Sequence, residues 1–175
     1  MRARTWLDLL TLSRAAVGTT LLARSLTGRR RRSWPAWLLF VFASIPADWL
    51  DGPLARRCGV PSAYGELLDL EADSWLTLGG AAAAATAGGL PGFAALPALL
   101  RYALLLAALR RASYRDLNTR HPGWARPLGM AQMTLFIAAL APFRGPLTRA
   151  AVGLAAPPIS VAQLAVLAAV YGRRR

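Results

Sequence analysis

Long apolar stretches, broken by short charged or turn-forming connections, set the pattern of this chain. A helix that crosses a bilayer needs about 20 mostly apolar residues, and six runs approach that length, at 8–27, 34–52, 66–88, 92–111, 128–142 and 148–171. The pattern predicts an all-α integral membrane protein with about six transmembrane helices. The second run is the clearest: Trp34 and Trp37 open it, Trp49 closes it, and 38–46 is uncharged. Tryptophans so placed read as anchors at the membrane interface. The fifth run is short and is expected to be tilted or partly buried, while Pro157-Pro158 should kink or interrupt the sixth. The run Ala81 to Ala85 reads as close helix packing through small residues, and Gly88-Gly89-Leu90-Pro91-Gly92 as a tight turn. No internal repeat is visible.

Composition agrees with this picture. The chain has 175 residues, 55% of them hydrophobic, with mean hydropathy +0.38, so a single membrane domain over 1–175 is expected. The net charge of +13 comes entirely from arginine, with no lysine. Those arginines flank apolar stretches and form no polar domain, which fits loops facing anionic lipid and argues against nucleic-acid binding. The arginine-rich segment 110–126 is expected in the cytoplasm by the positive-inside rule. Alternate crossings then put the Arg56-Arg57 loop and both termini there too, in the cell membrane, although Arg29 to Arg32 would face outward and leave open whether the first run fully spans. Cys58 is alone, so no intrachain disulfide can form. Arg14 interrupts the first apolar run, which reads as a retained segment and not as a cleaved signal.

The acids carry the main chemical signal. Of eight acidic residues, six lie between Asp48 and Asp73. An aspartate at the centre of a membrane helix costs roughly 2.5 to 3.5 kcal/mol on insertion scales, so such groups are kept when partnered or metal-bound. Asp48 and Asp51 are three apart at the end of the second run, and Asp69 and Asp73 four apart at the start of the third. Each spacing puts its pair on one helix face, and neighbouring helices would bring the pairs together. Four converging carboxylates repel one another, and a divalent cation is their natural partner. Oxygen-only ligation suits Mg²⁺, Mn²⁺ or Ca²⁺, and phosphate chemistry would favour Mg²⁺ or Mn²⁺.

The arrangement Asp48-x-x-Asp51-Gly52-x-x-Ala55-Arg56, eight residues, then Gly65-x-x-x-Asp69-x-x-x-Asp73 resembles the signature of the CDP-alcohol phosphatidyltransferases at all eight fixed positions over residues 48–73. The resemblance implies an active site at the cytoplasmic ends of the second and third helices. A phosphatidyl or similar phospho-alcohol group would pass there from a CDP-alcohol, such as CDP-diacylglycerol, to an acceptor hydroxyl, releasing CMP in phospholipid biosynthesis. It implies Asp48, Asp51 and Asp69 as metal ligands for a pair of ions, with Asp73 completing the site and acting as general base. Gly52 and Ala55 would give the nucleotide room, Arg56 would sit near its phosphates, and Gly65 would let the third helix pack closely. Thr11 and Arg14 belong to an element similar to the family's Asn-x-x-Thr-x-x-Arg, with Asp8 in place of Asn, and would touch donor phosphate. The segment Arg126 to Met133 is only loosely similar to the element that marks glycerophosphate-type members. A homodimer is also implied by the resemblance.

Further basic residues are candidates for an anionic acceptor. Arg101 lies inside the fourth run and would either partner an intramembrane acid or bind substrate, and Arg110, Arg115 and Arg120 follow near its end. Glu66 is placed to support the aspartates, whereas Glu71 points roughly opposite. The competing reading is an inactive membrane scaffold or lipid-binding protein that retains the fold. Four costly carboxylates argue against it.

Overall fold

A computed structural model of the chain describes residues 2–27, 34–44, 63–87, 89–110 and 124–171. The described residues form α-helices α1 (Arg2–Leu26), α2 (Trp34–Ser44), α3 (Ala63–Thr86), α4 (Leu96–Leu109), α5 (Ala125–Leu140) and α6 (Pro146–Tyr171), with a 3₁₀ turn at Gly92–Ala95 leading into α4. No strand occurs among them. The all-α expectation holds, and each predicted run contains one helix.

One of these helices, α6, is long and apolar enough by itself to cross a membrane. That count is lower than the sequence pattern suggests, for identifiable reasons. The N-terminal half of α1 carries Arg2, Arg4, Asp8 and Arg14, and that of α3 carries Glu66, Asp69, Glu71 and Asp73. Charge dilutes their hydropathy while leaving their length adequate, about 37 Å for the 25 residues of α1. The remaining apolar helices, within 34–44, 92–107 and 127–140, are short.

α3 is the central element, packing on α1, α4 and α5. α1 and α3 run parallel, since contacts rise together from Thr11 with Asp69, through Thr19 with Trp75, to Ser25 with Thr86. Their backbones nearly touch. A Cβ on Gly18 would come 2.8 Å from the Trp75 carbonyl oxygen, and one on Gly79 would collide with the Gly18 carbonyl. Only glycine permits that approach. The expected small-residue packing follows directly, with Ala81, Ala83 and Ala84 buried in a core that includes Leu21, Phe40, Leu76, Phe136 and Leu140. The ring of Phe40 meets Phe136 edge-on at 6.0 Å and fills the space that Gly80 leaves open.

Two expectations change. Trp37 is packed against the core, edge-on to Phe143 at 5.6 Å, with its buried Nε1 lacking a hydrogen-bond partner among the described residues. It is therefore a packing residue, while Trp34 is about half exposed as an interface residue should be. α6 continues through Pro157 and Pro158, so of the two expected outcomes the interruption does not occur. Both prolines are exposed, so their rings fit outside the bundle, and the carbonyls they leave without donors lie one turn earlier, at Gly153 and Leu154. α5 meets its expectation of partial burial through Leu135, Phe136, Ala139 and Leu140.

The core is largely apolar but holds several polar groups, and large apolar side chains also lie on the outside. Arg14, Arg101, Gln132, Thr11 and Ser160 are buried, whereas Phe42, Leu147, Leu154 and Val161 are more than 60% exposed. An apolar outer surface over polar interior groups is what hydrocarbon solvent selects.

Candidate active site

The parallel register of α1 and α3 sets polar residues of their N-terminal halves side by side. Arg14 is 2% exposed, and its Nη1 donates to Asp69 Oδ1 and to Asp73 Oδ1, both at 2.8 Å. Thr11, one turn earlier on the same face of α1, donates from Oγ1 to Asp69 Oδ1 at 3.3 Å. Two carboxylates one turn apart thus converge on a single guanidinium nitrogen. Their side chains remain 41% and 47% exposed, so they face outward from a corner whose base is Arg14. Charge-assisted bonds of this kind fix the carboxylates in direction as well as position.

Beside this corner, α3, α4, α5 and α6 enclose a cavity of about 530 Å³. Asp73 lines it and Asp69 does not, so Asp73 stands between the Arg14 corner and the cavity. Across from it are Arg101, Gln132 and Gln163. Arg101 makes a two-pronged ion pair with Glu71, Nη2 to Oε1 at 2.7 Å and Nη1 to Oε2 at 3.2 Å. Glu71, two residues from both aspartates, lies on a different face of α3 as expected, and that face meets α4. Its pairing with Arg101 is the partnership with an acid that the sequence left as one of two readings for Arg101.

The structure therefore brings together Thr11, Arg14, Asp69 and Asp73, and sets Arg101 in the adjoining cavity wall. Gly65 lies in the first turn of α3. Arg110 follows α4, exposed and outside the cavity lining. Asp48, Asp51, Gly52, Ala55, Arg56, Arg115 and Arg120 lie outside the described residues. The sequence reading gave no role to Gln163. It lines the cavity as the only amide in the apolar second half of α6.

Among the described residues no cluster of three or more histidine, cysteine or acidic side chains forms. The acids that are described fit a hard cation in donor type, because Asp69 and Asp73 offer oxygen only and already converge on one cationic group. Asp48 and Asp51 would be needed to complete such a site.

No solved structure matches the chain. The family model for CDP-alcohol phosphatidyltransferases matches residues 5–170, a span that takes in the Thr11 and Arg14 corner, the four aspartates and the cavity behind Asp73. Matched over nearly its whole length, the chain belongs to the CDP-alcohol phosphatidyltransferase family.

Proposed function

We propose that this protein is a metal-dependent transferase that moves a phosphatidyl or similar phospho-alcohol group from a CDP-alcohol donor, such as CDP-diacylglycerol, to an acceptor hydroxyl held in the cavity beside Asp73. The family carries out this class of transfer in phospholipid biosynthesis, and its members are embedded in membranes. One observation supports the assignment of roles above all others: Asp69 and Asp73 share the Arg14 corner, but Asp73 alone reaches the cavity.

In this reading Asp48, Asp51, Asp69 and Asp73 would hold Mg²⁺ or Mn²⁺, which when bound neutralises the charge of the donor diphosphate. Thr11 and Arg14 orient donor phosphate and steady the two aspartates of α3. Gly52, Ala55, Arg56 and Gly65 leave room for, and contact, the nucleotide. Asp73 accepts the proton of the acceptor hydroxyl, whose oxygen bonds to the phosphorus bearing the alcohol group while the bond from that phosphorus to CMP breaks. Active-site residues at the cytoplasmic ends of the second and third helices, in the cell membrane and in a homodimer, complete the proposal.

The test compares Asp73→Asn with Asp48→Asn. Loss of the Asp73 carboxylate should abolish CMP release while CDP-diacylglycerol binding and metal affinity largely persist. Asp48→Asn should lose metal and donor affinity together. Near-normal turnover in Asp73→Asn, or equal loss of metal in both variants, would show that the four aspartates act as one binding unit with no separate base.

A further inference from the structure

Every charged residue of α3 falls in its first half, at Glu66, Asp69, Glu71 and Asp73, and residues 79–85 are all glycine or alanine. Small residues let a neighbouring helix approach closely, but they offer few side chains that interdigitate, so they do little to fix how α3 is turned about its own axis. The charged half is held differently. At about 100° per residue, Asp69 and Asp73 lie about 40° apart around the helix, and Glu71 about 180° from the midpoint between them. Arg14 of α1 bonds both aspartates at 2.8 Å. Arg101 of α4 takes Glu71 through two bonds, of 2.7 and 3.2 Å. Two buried arginines from two different helices thus grip opposite sides of one turn of α3.

Arg101 is itself steadied. The Tyr102 ring centroid lies 5.2 Å from its guanidinium carbon, Trp75 meets Tyr102 edge-on at 5.8 Å, and Trp75 Nε1 donates to Thr19 Oγ1 of α1 at 2.9 Å. A planar guanidinium forked onto a carboxylate fixes direction as well as distance, where an apolar contact would slide. Between the two grips runs the strip of α3 that faces the cavity, with Leu70, Asp73, Ser74 and Thr77. A side-chain carboxylate sits about 5–6 Å from the helix axis, so each 10° or so of rotation moves it about 1 Å. Misplacement by that distance costs a reaction about 10²-fold.

We infer that Glu71 and Arg101 are positioning residues: their two-pronged pair, opposed by Arg14 across α3, fixes the rotation of that helix and so the aim of Asp73 into the cavity. Neither touches the reacting atoms in this role. Without the fork, Arg14 still pulls on its own side, and α3 turns with Asp69 and Asp73 moving as a unit, so the share of metal binding assigned to them changes too. The inference rests on the reading of Asp69 and Asp73 as metal ligands and of Asp73 as the base.

The experiment uses the full chain in phosphatidylcholine nanodiscs and compares the wild type with Glu71→Gln, Arg101→Lys and the two combined. Thermal midpoint and calorimetric Mg²⁺ affinity are measured on each, with kcat and KM for CMP release from CDP-diacylglycerol and glycerol 3-phosphate, inositol 1-phosphate or serine. Each single variant should lower kcat at saturating Mg²⁺ at least about tenfold, leave donor KM within about threefold, and weaken Mg²⁺ binding at least about fivefold. Because both changes break the same contact, the combined variant should lie within about twofold of the worse single one. A pair that only adds stability would lower the thermal midpoint while kcat and Mg²⁺ affinity stay at wild-type values, and that result overturns the inference. So does a combined loss equal to the product of the single losses, which would give Arg101 a separate contact with substrate. Should Glu71→Gln not fold, Glu71→Asp, which keeps the charge and shortens its reach, takes its place under the same criteria. If the wild type releases no CMP with any of these acceptors, the transferase reading fails, and Mg²⁺ affinity still decides this one. Unchanged affinity in both single variants, or no Mg²⁺ binding by the wild type, overturns it.

Discussion

Arg14 shows how one side chain organises a site. Its guanidinium is buried, yet the carboxylates it bonds are about half exposed, so removing it leaves two like charges at one corner with partial access to solvent. Breaking a fully buried ion pair costs about 3–5 kcal/mol, and exposure of the aspartates reduces that here to about 1–3 kcal/mol. Arg14→Met should lower the thermal midpoint accordingly. Added Mg²⁺ should restore more stability to the variant than it adds to the wild type, because a cation can take over part of the lost counter-charge. Equal Mg²⁺ shifts in the two proteins would contradict a metal site at these aspartates. At this scale the sequence was legible where motif and helix spacing coincide: Thr11 and Arg14 share a face of α1, Asp69 and Asp73 a face of α3. The pairing of Glu71 with Arg101 was not, because it joins residues 30 apart through the rotation of α4 against α3, which no local spacing encodes.

The α1 and α3 crossing makes the site possible, since the register that aligns Thr11 with Asp69 is held a few turns away by glycine contact. Gly79→Ala would drive a Cβ into the Gly18 backbone and should force the helices apart, at about 1–3 kcal/mol. The displacement should also reduce turnover, because Arg14 and Asp73 reside on the two separated helices. Gly153→Ala in α6 is the control. A Cβ there meets nothing within 4 Å, so the change should raise stability by up to about 1 kcal/mol through helix propensity. Thermal unfolding of both variants checks the pair, and a neutral Gly79→Ala would mean that the contact does not set the register. The run Ala81 to Ala85 announced close packing in the sequence, whereas the Gly18 and Gly79 contact did not stand out, because it joins residues on two different helices. The continuity of α6 was not legible, because a Pro-Pro pair normally ends a helix. The outcome turned on which face the prolines occupy, and that depends on the neighbouring helices.

For the molecule as a whole, the decisive property is its solvent. An exposed layer of leucine, valine and phenylalanine around a core that also holds paired arginines is what a hydrocarbon solvent would select, and that reading is testable without reference to catalysis. α6 is about 39 Å long for its 26 residues, with Val161 near its middle and Leu147 at its start. Both are exposed, at 65% and 84%. In water, arginine at either exposed position would change stability by less than about 0.5 kcal/mol. In a bilayer the two positions differ: a charge near the helix centre costs about 2.5–3.5 kcal/mol on insertion scales, whereas one at the end snorkels to the headgroups. Val161→Arg should therefore sharply reduce the folded, membrane-integrated fraction, and Leu147→Arg should leave it nearly unchanged. Unfolding in lipid nanodiscs, with the same variants measured for CMP release, separates depth from chemistry, since neither residue lines the cavity. If both arginines are tolerated equally, this face of α6 lies outside the hydrocarbon.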